Sequence, residues 1–234
     1  MTVAQTAGIP AHIPAEKLKR ADKLLVVTTP AWNSVDGTMT RYDRSNSKWV
    51  QVGAAIPVVV GANGLGWDLS IPSQERGDSV APLKHEGDGR SPAGVFGLME
   101  TFGFGEEGPT SREYIPLTGS TECVDDVKSQ HYGHIVDRGA VAKVDWDSSE
   151  KMREIDVYHL GMVVDYNVAN TVPGNGSCIF LHIWKGMGRG TAGCTAMAQQ
   201  NLEGLVQWVG HKKTALLQMP QAEYERLMKQ WELP

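Results

Sequence analysis

Cysteine is scarce in this chain. Three in 234 residues are too few for a disulfide scaffold, and an odd number leaves at least one thiol unpaired within the chain. None of Cys123, Cys178 and Cys194 belongs to a CxxC pair, and no paired Cys/His spacing suits a structural zinc ion, so no metal is expected. Lysine and arginine never form a block. With a net charge of −5 and a pI near 5.8, a basic surface for nucleic acid is excluded as a working idea. Long apolar runs are also missing. Leu24–Val27 and Ala54–Val60 are the longest, far short of the roughly 20 residues a membrane-spanning helix needs. The opening stretch MTVAQTAGIPAHIP has neither a charged n-region nor an apolar h-region. No secretory signal is therefore expected in this chain, leaving a cytoplasmic protein or a mature one whose signal has been removed. What is present is an ordinary globular mixture, without repeats or low-complexity segments, and long enough to bury a sizeable core.

Strand signals dominate. The segment to about Pro14 reads as a tail, and Ala15–Asp22 as one or two helical turns. Lys23–Thr29 is apolar and β-branched. Gly37–Arg44 and Lys48–Gly53 flank the polar turn SNS and predict a hairpin, with Ile56–Val60 as a further buried strand. Residues 61–92 are rich in Gly, Pro, Asp and Ser and predict loops. Val95–Met99, Gly161–Tyr166, Ser177–Trp184 and Thr214–Met219 complete the strands. Residues 103–156 lack periodicity, but Tyr114, Ile115, Tyr132, Ile135, Val136 and Trp146 are dispersed through them. They read as an ordered insertion, a groove wall or lid. Leu202, Leu205, Val206 and Val209 recur at helical spacing, as do Tyr224, Leu227, Met228 and Trp231 in the last segment. The expected organisation is a tail with a short helix over 1–22, a mainly β domain over 23–219 carrying the insertion, and a docking helix over 220–234.

The chemistry concentrates in GSCIFLHIWKGMGRGTAGCTAM, Gly176–Met197. His182 lies near the end of an apolar strand; a glycine-rich loop, Cys194 and a helix follow. A helix N-terminus lowers a thiol pKa, and a His at the end of the preceding strand could pair with the sulfur as thiolate and imidazolium. Gly193 allows a tight turn whose N–H groups could form an oxyanion hole. Against this, a lone Cys is often an inert core residue and a lone strand His merely a satisfied polar group. Cys178, four residues before His182, should face the same side of the strand; it is either core or a partner for Cys123 in an oxidising compartment. His131 and His134, with Asp137 nearby, sit in an Asp-rich loop and read as a solvated insertion rather than a metal site.

The segment FLHIW…GTAGCTAM resembles the catalytic motif of the L,D-transpeptidase family (YkuD-type domain): a His, a loop, then Ser/Thr-x-Gly-Cys, matched by His182, Thr191, Gly193 and Cys194. DGRSPAGVFGLM, Asp88–Met99, is similar to the family's second signature, Gly-x-(Thr/Ser)-Pro-x-Gly-x-Phe. The resemblance spans most of residues 23–219 and is closest to a proteobacterial branch. It implies a mainly β sandwich or barrel with a short helix after the Cys. It further implies that Cys194 is acylated and His182 is its base, oriented by the Ile183 carbonyl, with oxyanion donors at the Gly193 and Cys194 N–H groups. Pro92, Gly94 and Phe96 would be structural. No cofactor is implied. The partners would be peptidoglycan stem peptides, with a monomeric enzyme in the periplasm.

Three departures stand out. Ala192 replaces the usual His before the Gly, the His–Cys spacing is short, and Ala196 occupies the position where the family places an Arg that helps hold the donor stem. The stem, L-Ala, D-Glu, an L-centred diamino acid and D-Ala, has two L-to-D junctions. Either another cation, Arg189 or Lys185, binds the carboxylate beside the terminal junction, giving a 3-3 cross-link, or the donor is L-Ala–D-Glu, giving a 1-3 cross-link. Trp184, Thr191 and Tyr132 are the other candidate substrate contacts. Two alternatives remain: water as acceptor, making a carboxypeptidase or amidase, and a non-catalytic peptidoglycan-binding module.

Overall fold

The computed structural model describes residues 14–77 and 80–234; the expected tail before Pro14 lies outside them. Helix α1 (Pro14–Arg20) precedes β1 (Lys23–Thr29), β2 (Asp36–Ser45), β3 (Lys48–Val59), β4 (Leu65–Trp67), β5 (Ser91–Gly103) and β6 (Tyr114–Pro116). The insertion continues with β7 (Thr121–Val124), β8 (Ile135–Asp137), β9 (Ser149–Lys151) and two 3₁₀ turns, Met152–Glu154 and Asp156–Tyr158. Then come β10 (Leu160–Val164), β11 (Phe180–Ile183), β12 (Thr195–Met197), α2 (Gln199–Val209), β13 (Thr214–Pro220) and α3 (Gln221–Leu227).

Ten strands form one sheet. Its path runs β10-β11-β12-β3-β2-β1-β13-β5-β4, with β6 beside β5, and β5 also pairs with β10. That last pairing closes the path into a barrel, which removes most exposed edges. The chain is mainly β, as expected. The β2–β3 hairpin forms with Ser45 opposite Lys48. Its two turn residues, Asn46 and Ser47, both have positive φ, the backbone twist that a two-residue hairpin requires. Ile56–Val59 continues β3 rather than forming a separate strand. Burying both faces of β1 and β13 explains their apolar runs, Leu24–Val27 and Ala215–Leu217.

The barrel core is aliphatic, with Phe96, Trp67 and the four periodic residues of α2 packed into it. α3 ends at Leu227, short of the predicted extent. Its stripe nonetheless docks as expected through buried Tyr224, Leu227 and Trp231.

The insertion is ordered, but its first piece, β6, joins the barrel sheet. The rest makes a separate three-stranded sheet, β8-β7-β9. Glu122 on β7 is buried there and accepts from Trp146 Nε1 (2.8 Å), Ser149 Oγ (2.7 Å) and Arg138 Nη1 (3.2 Å). His131 packs its ring on Trp146, and His134 Nδ1 lies 2.9 Å from the Tyr132 carbonyl.

Candidate active site

Three segments converge on one end of the barrel. β11 lies between β10 and β12, with His182 opposite Gly161 on one side and Ala196 on the other. Cys194 immediately precedes β12, so a three-residue strand and Ala198 separate it from α2. The expected placement at a helix start therefore does not hold, and the helix dipole does not act on this thiol directly, because its effect fades beyond the first turn. Ser177–Ile179 is not strand either. Cys178 adopts a left-handed φ of 54° and is bonded to Cys123 at a Cα separation of 6.0 Å. The idea that Cys178 and His182 share one strand face is thereby overturned; of the open alternatives for Cys178, pairing is the one realised. Cys194 is the free cysteine.

The backbone of Cys194 is held tightly. Its carbonyl accepts from Thr191 Oγ1 (2.6 Å) and from Ser91 Oγ (2.8 Å). Ser91 Oγ in turn accepts the Gly61 N–H at 2.9 Å. Ser91 belongs to the second sequence motif, so the two motifs meet physically at the Cys194 carbonyl. Gly193 is required for space rather than for an unusual φ. A Cβ there would lie 3.2 Å from both the Arg90 carbonyl and Ile179 Cδ1. The Gly193 N–H donates to Thr191 Oγ1 at 3.2 Å, a long bond that an oxyanion could replace. Pro92 is the second residue of β5 and Phe96 is buried. A Cβ on Gly94 would lie 2.9 Å from the Phe96 ring.

His182 and Cys194 are 6% and 5% exposed and line a common cavity of about 210 Å³. His182 Nδ1 lies 2.7 Å from the Ile183 carbonyl. A carbonyl can only accept, so Nδ1 carries the proton and Nε2 presents a lone pair. The thiol donates to the Cys178 carbonyl at 3.3 Å and accepts the Phe180 N–H at 3.3 Å. Burial drives the His182 pKa down to about 4. Burial, reinforced by the Glu150 carboxylate, pushes the Cys194 thiol well above its usual range, although the Phe180 N–H, Lys84 and Tyr158 pull the other way. The resting pair is thus thiol and neutral imidazole. The expected thiolate–imidazolium pair gives way to desolvation of both partners.

The remaining wall comes from residues that the sequence reading missed. Tyr158 packs edge-on against the His182 ring, centroids 5.2 Å apart, and donates to Glu150 Oε2 at 2.7 Å. Burial raises Glu150 to about 7. Lys84 is 2% exposed and also lines the cavity. No local pattern marks these residues, because each arrives from a different loop or short element.

The sequence-expected substrate contacts fare unevenly. Thr191 lines the cavity, but its hydroxyl is committed to the loop. Tyr132 is 2% exposed, so it is not a groove wall. Its hydroxyl donates to Glu86 at 2.5 Å and accepts the Gly176 N–H at 3.1 Å, fastening the insertion to the loop before β11. Trp184 is half-buried, Arg189 and Lys185 are exposed, and none of the three lines the cavity. The glycine-rich loop turns Lys185 and Arg189 towards solvent.

Residues 32–217 match the family model of the L,D-transpeptidase catalytic domain, YkuD, and the chain belongs to that family. No curated protein matches it in a sequence search. A cysteine-dependent acyl transfer acting on peptidoglycan is the activity of the family, and among the described residues no helix is long and apolar enough to cross a membrane.

Proposed function

We propose that Cys194 takes an acyl group from a donor peptidoglycan stem and passes it to the side-chain amine of the diamino acid on an acceptor stem. The observation that carries this reading is the free thiol and the Nδ1-protonated His182 lining one cavity. In the first step, His182 Nε2 takes the thiol proton as the sulfur attacks the carbonyl of an L residue. The C–S bond forms, the C–N bond to the following D residue breaks, and the proton passes to the departing amine. In the second step, the acceptor amine attacks the thioester, giving its proton to His182. The C–S bond breaks and the thiolate is reprotonated. The neutral resting pair fits this order, since the imidazole is free to accept a proton at neutral pH. Thr191 and Ser91 fix the nucleophile's backbone, and the Gly193 and Cys194 N–H groups receive the oxyanion.

The junction is an L-to-D one: diamino acid–D-Ala, giving a 3-3 cross-link, or L-Ala–D-Glu, giving a 1-3 cross-link. Ala196, buried in β12, carries no charge to read a terminal carboxylate. We assign the enzyme to the periplasm, acting as a monomer; the Cys123–Cys178 bond supports an oxidising compartment.

Purified disaccharide-tetrapeptides incubated with the protein and with Cys194→Ala, followed by tandem mass spectrometry, test the reading. A dimer that has lost only D-Ala means a 3-3 transferase. A dimer joined through L-Ala means a 1-3 transferase. Trimmed monomers alone would replace transfer by hydrolysis, and products undiminished in Cys194→Ala would overturn the mechanism.

A further inference from the structure

Lys84 is the fixed positive charge among the described residues lining the cavity. An ammonium has three N–H donors. Among the described residues two are used, on the His85 carbonyl (2.5 Å) and on Asp88 Oδ1 (2.7 Å). The head is immobilised, because Asp88 also accepts the His85 N–H at 2.7 Å and the Arg90 N–H at 2.8 Å. The stem is threaded past two glycines. A Cβ on Gly176 would lie 3.0 Å from Lys84 Cε, and one on Gly193, beside the nucleophile, 3.9 Å from Nζ. Keeping a lysine 2% exposed for a single carboxylate costs more desolvation than a short loop repays. The arrangement makes sense if the third donor serves something that enters the cavity.

The cavity's carboxylates do not all compete for it. Glu86 Oε2 accepts from the Tyr132 and Ser177 hydroxyls, Glu150 is drawn towards its neutral form, and Asp125 is the remaining acid.

We propose that Lys84 is a specificity-determining residue whose third N–H binds the α-carboxylate of the D residue that departs when the thioester forms. This rests on the acyl-transfer reading above. It holds for either junction, because D-Ala and D-Glu alike carry a free α-carboxylate on the carbon bearing the scissile nitrogen. It also supplies, from the loop before β5, the cation that Ala196 lacks and that Arg189 and Lys185 are too exposed to provide.

The test compares two matched donor pairs: disaccharide-tetrapeptide against its D-alaninamide form, and against the form with the D-Glu α-carboxylate amidated. The acyl carbonyl is unchanged within each pair. For the junction in use, the unmodified protein should prefer the free acid by about 10- to 100-fold in kcat/KM, the range of one charge-assisted hydrogen bond. Lys84→Met should bring that ratio close to one, while Lys84→Arg should retain most of it. A merely structural lysine would lower both rates of a pair together and leave the ratio intact, overturning the proposal. So would an unmodified protein that turns over acid and amide equally, an arm that needs no variant to fold. If the unmodified protein turns over none of the three donors, the acyl-transfer reading fails, and this proposal fails with it.

Discussion

The barrel and the insertion are stabilised in different ways. The barrel encloses Leu24, Leu25, Val58, Leu216 and their neighbours, nearly all fully buried, and its cohesion is hydrophobic burial at roughly 25 cal/mol per Å². The small sheet of the insertion has strands of three or four residues. It shares a smaller apolar cluster with the barrel, Leu117, Cys123, Met152 and Tyr158 against Phe102 and Phe180, and adds a carboxylate at its centre, Glu122, and a covalent tie through Cys123. Cys194 and His182 sit beside and on strands of the first region, while Tyr132 and Glu150, which anchor and wall the cavity, belong to the second. The Cys194–His182 pair thus sits on the barrel frame, while part of the cavity around it comes from a module with its own fastening.

Four experiments would break or sharpen that comparison. The largest effect expected is that of Cys194→Ala, a loss of about 10³-fold or more in acyl transfer, with stability altered by only about 1 kcal/mol. Kinetics and thermal melts on the same sample check both halves. A variant that unfolds would mean the thiol is part of the barrel's packing.

Second is Cys123→Ala with Cys178→Ala. The bond spans 55 residues, and chain entropy assigns such a loop about 4 kcal/mol. Hydrogen exchange should show protection lost over β7 to β9 and kept in β1 and β13; equal loss in both would erase the distinction between the regions.

Third is Glu122→Gln, expected to cost about 2 kcal/mol at pH 7. Burial alone would raise the Glu122 pKa, but the bonds from Ser149, Trp146 and Arg138 outweigh it and hold the folded value low. Its contribution is therefore present above the unfolded carboxylate pKa of about 4.3 and disappears as pH falls through the folded value. Denaturation profiles between pH 7 and 3 should be flatter for the variant, and parallel profiles would remove Glu122 as the hub.

The smallest effect concerns Glu150→Gln. The carboxylate raises the thiol pKa and, with its own value near 7, is increasingly charged above that pH. Removing it should lower the thiol pKa and speed iodoacetamide alkylation of Cys194 at pH 8 by about 3- to 10-fold. Slower or unchanged alkylation would show that the insertion does not tune the nucleophile.

Much of the barrel was legible because its signals are local. An unbroken Leu24–Val27, a polar turn between alternating strands and a 3.6-residue stripe in α2 each specify an element without reference to the rest. Cys194, His182 and Ile183 were legible because a motif fixes their order. Lys84, Glu150 and Tyr158 were not, since they meet only through long-range packing. Cys178 misled because its apolar neighbours read as strand, whereas the disulfide and a left-handed φ interrupt it. The charged candidates Arg189 and Lys185 were near the motif in sequence, but the glycine-rich loop carries them outward. Proximity along the chain therefore located the Cys194–His182 pair of the cavity better than the groups around it.

The pairing of β1 with β13 carries a consequence for biosynthesis. The two strands run parallel, Lys23 beside Thr214 and Thr29 beside Pro220, so the first strand of the barrel has its neighbour near the other end of the chain. The ring cannot close until β13 has followed β1, and bringing such distant segments together exacts a loop-closure entropy before any contact rewards it. Until then β1, paired with β2 on one side, keeps its other edge unpaired along the apolar run Leu24–Val27, the kind of edge on which holdase chaperones act.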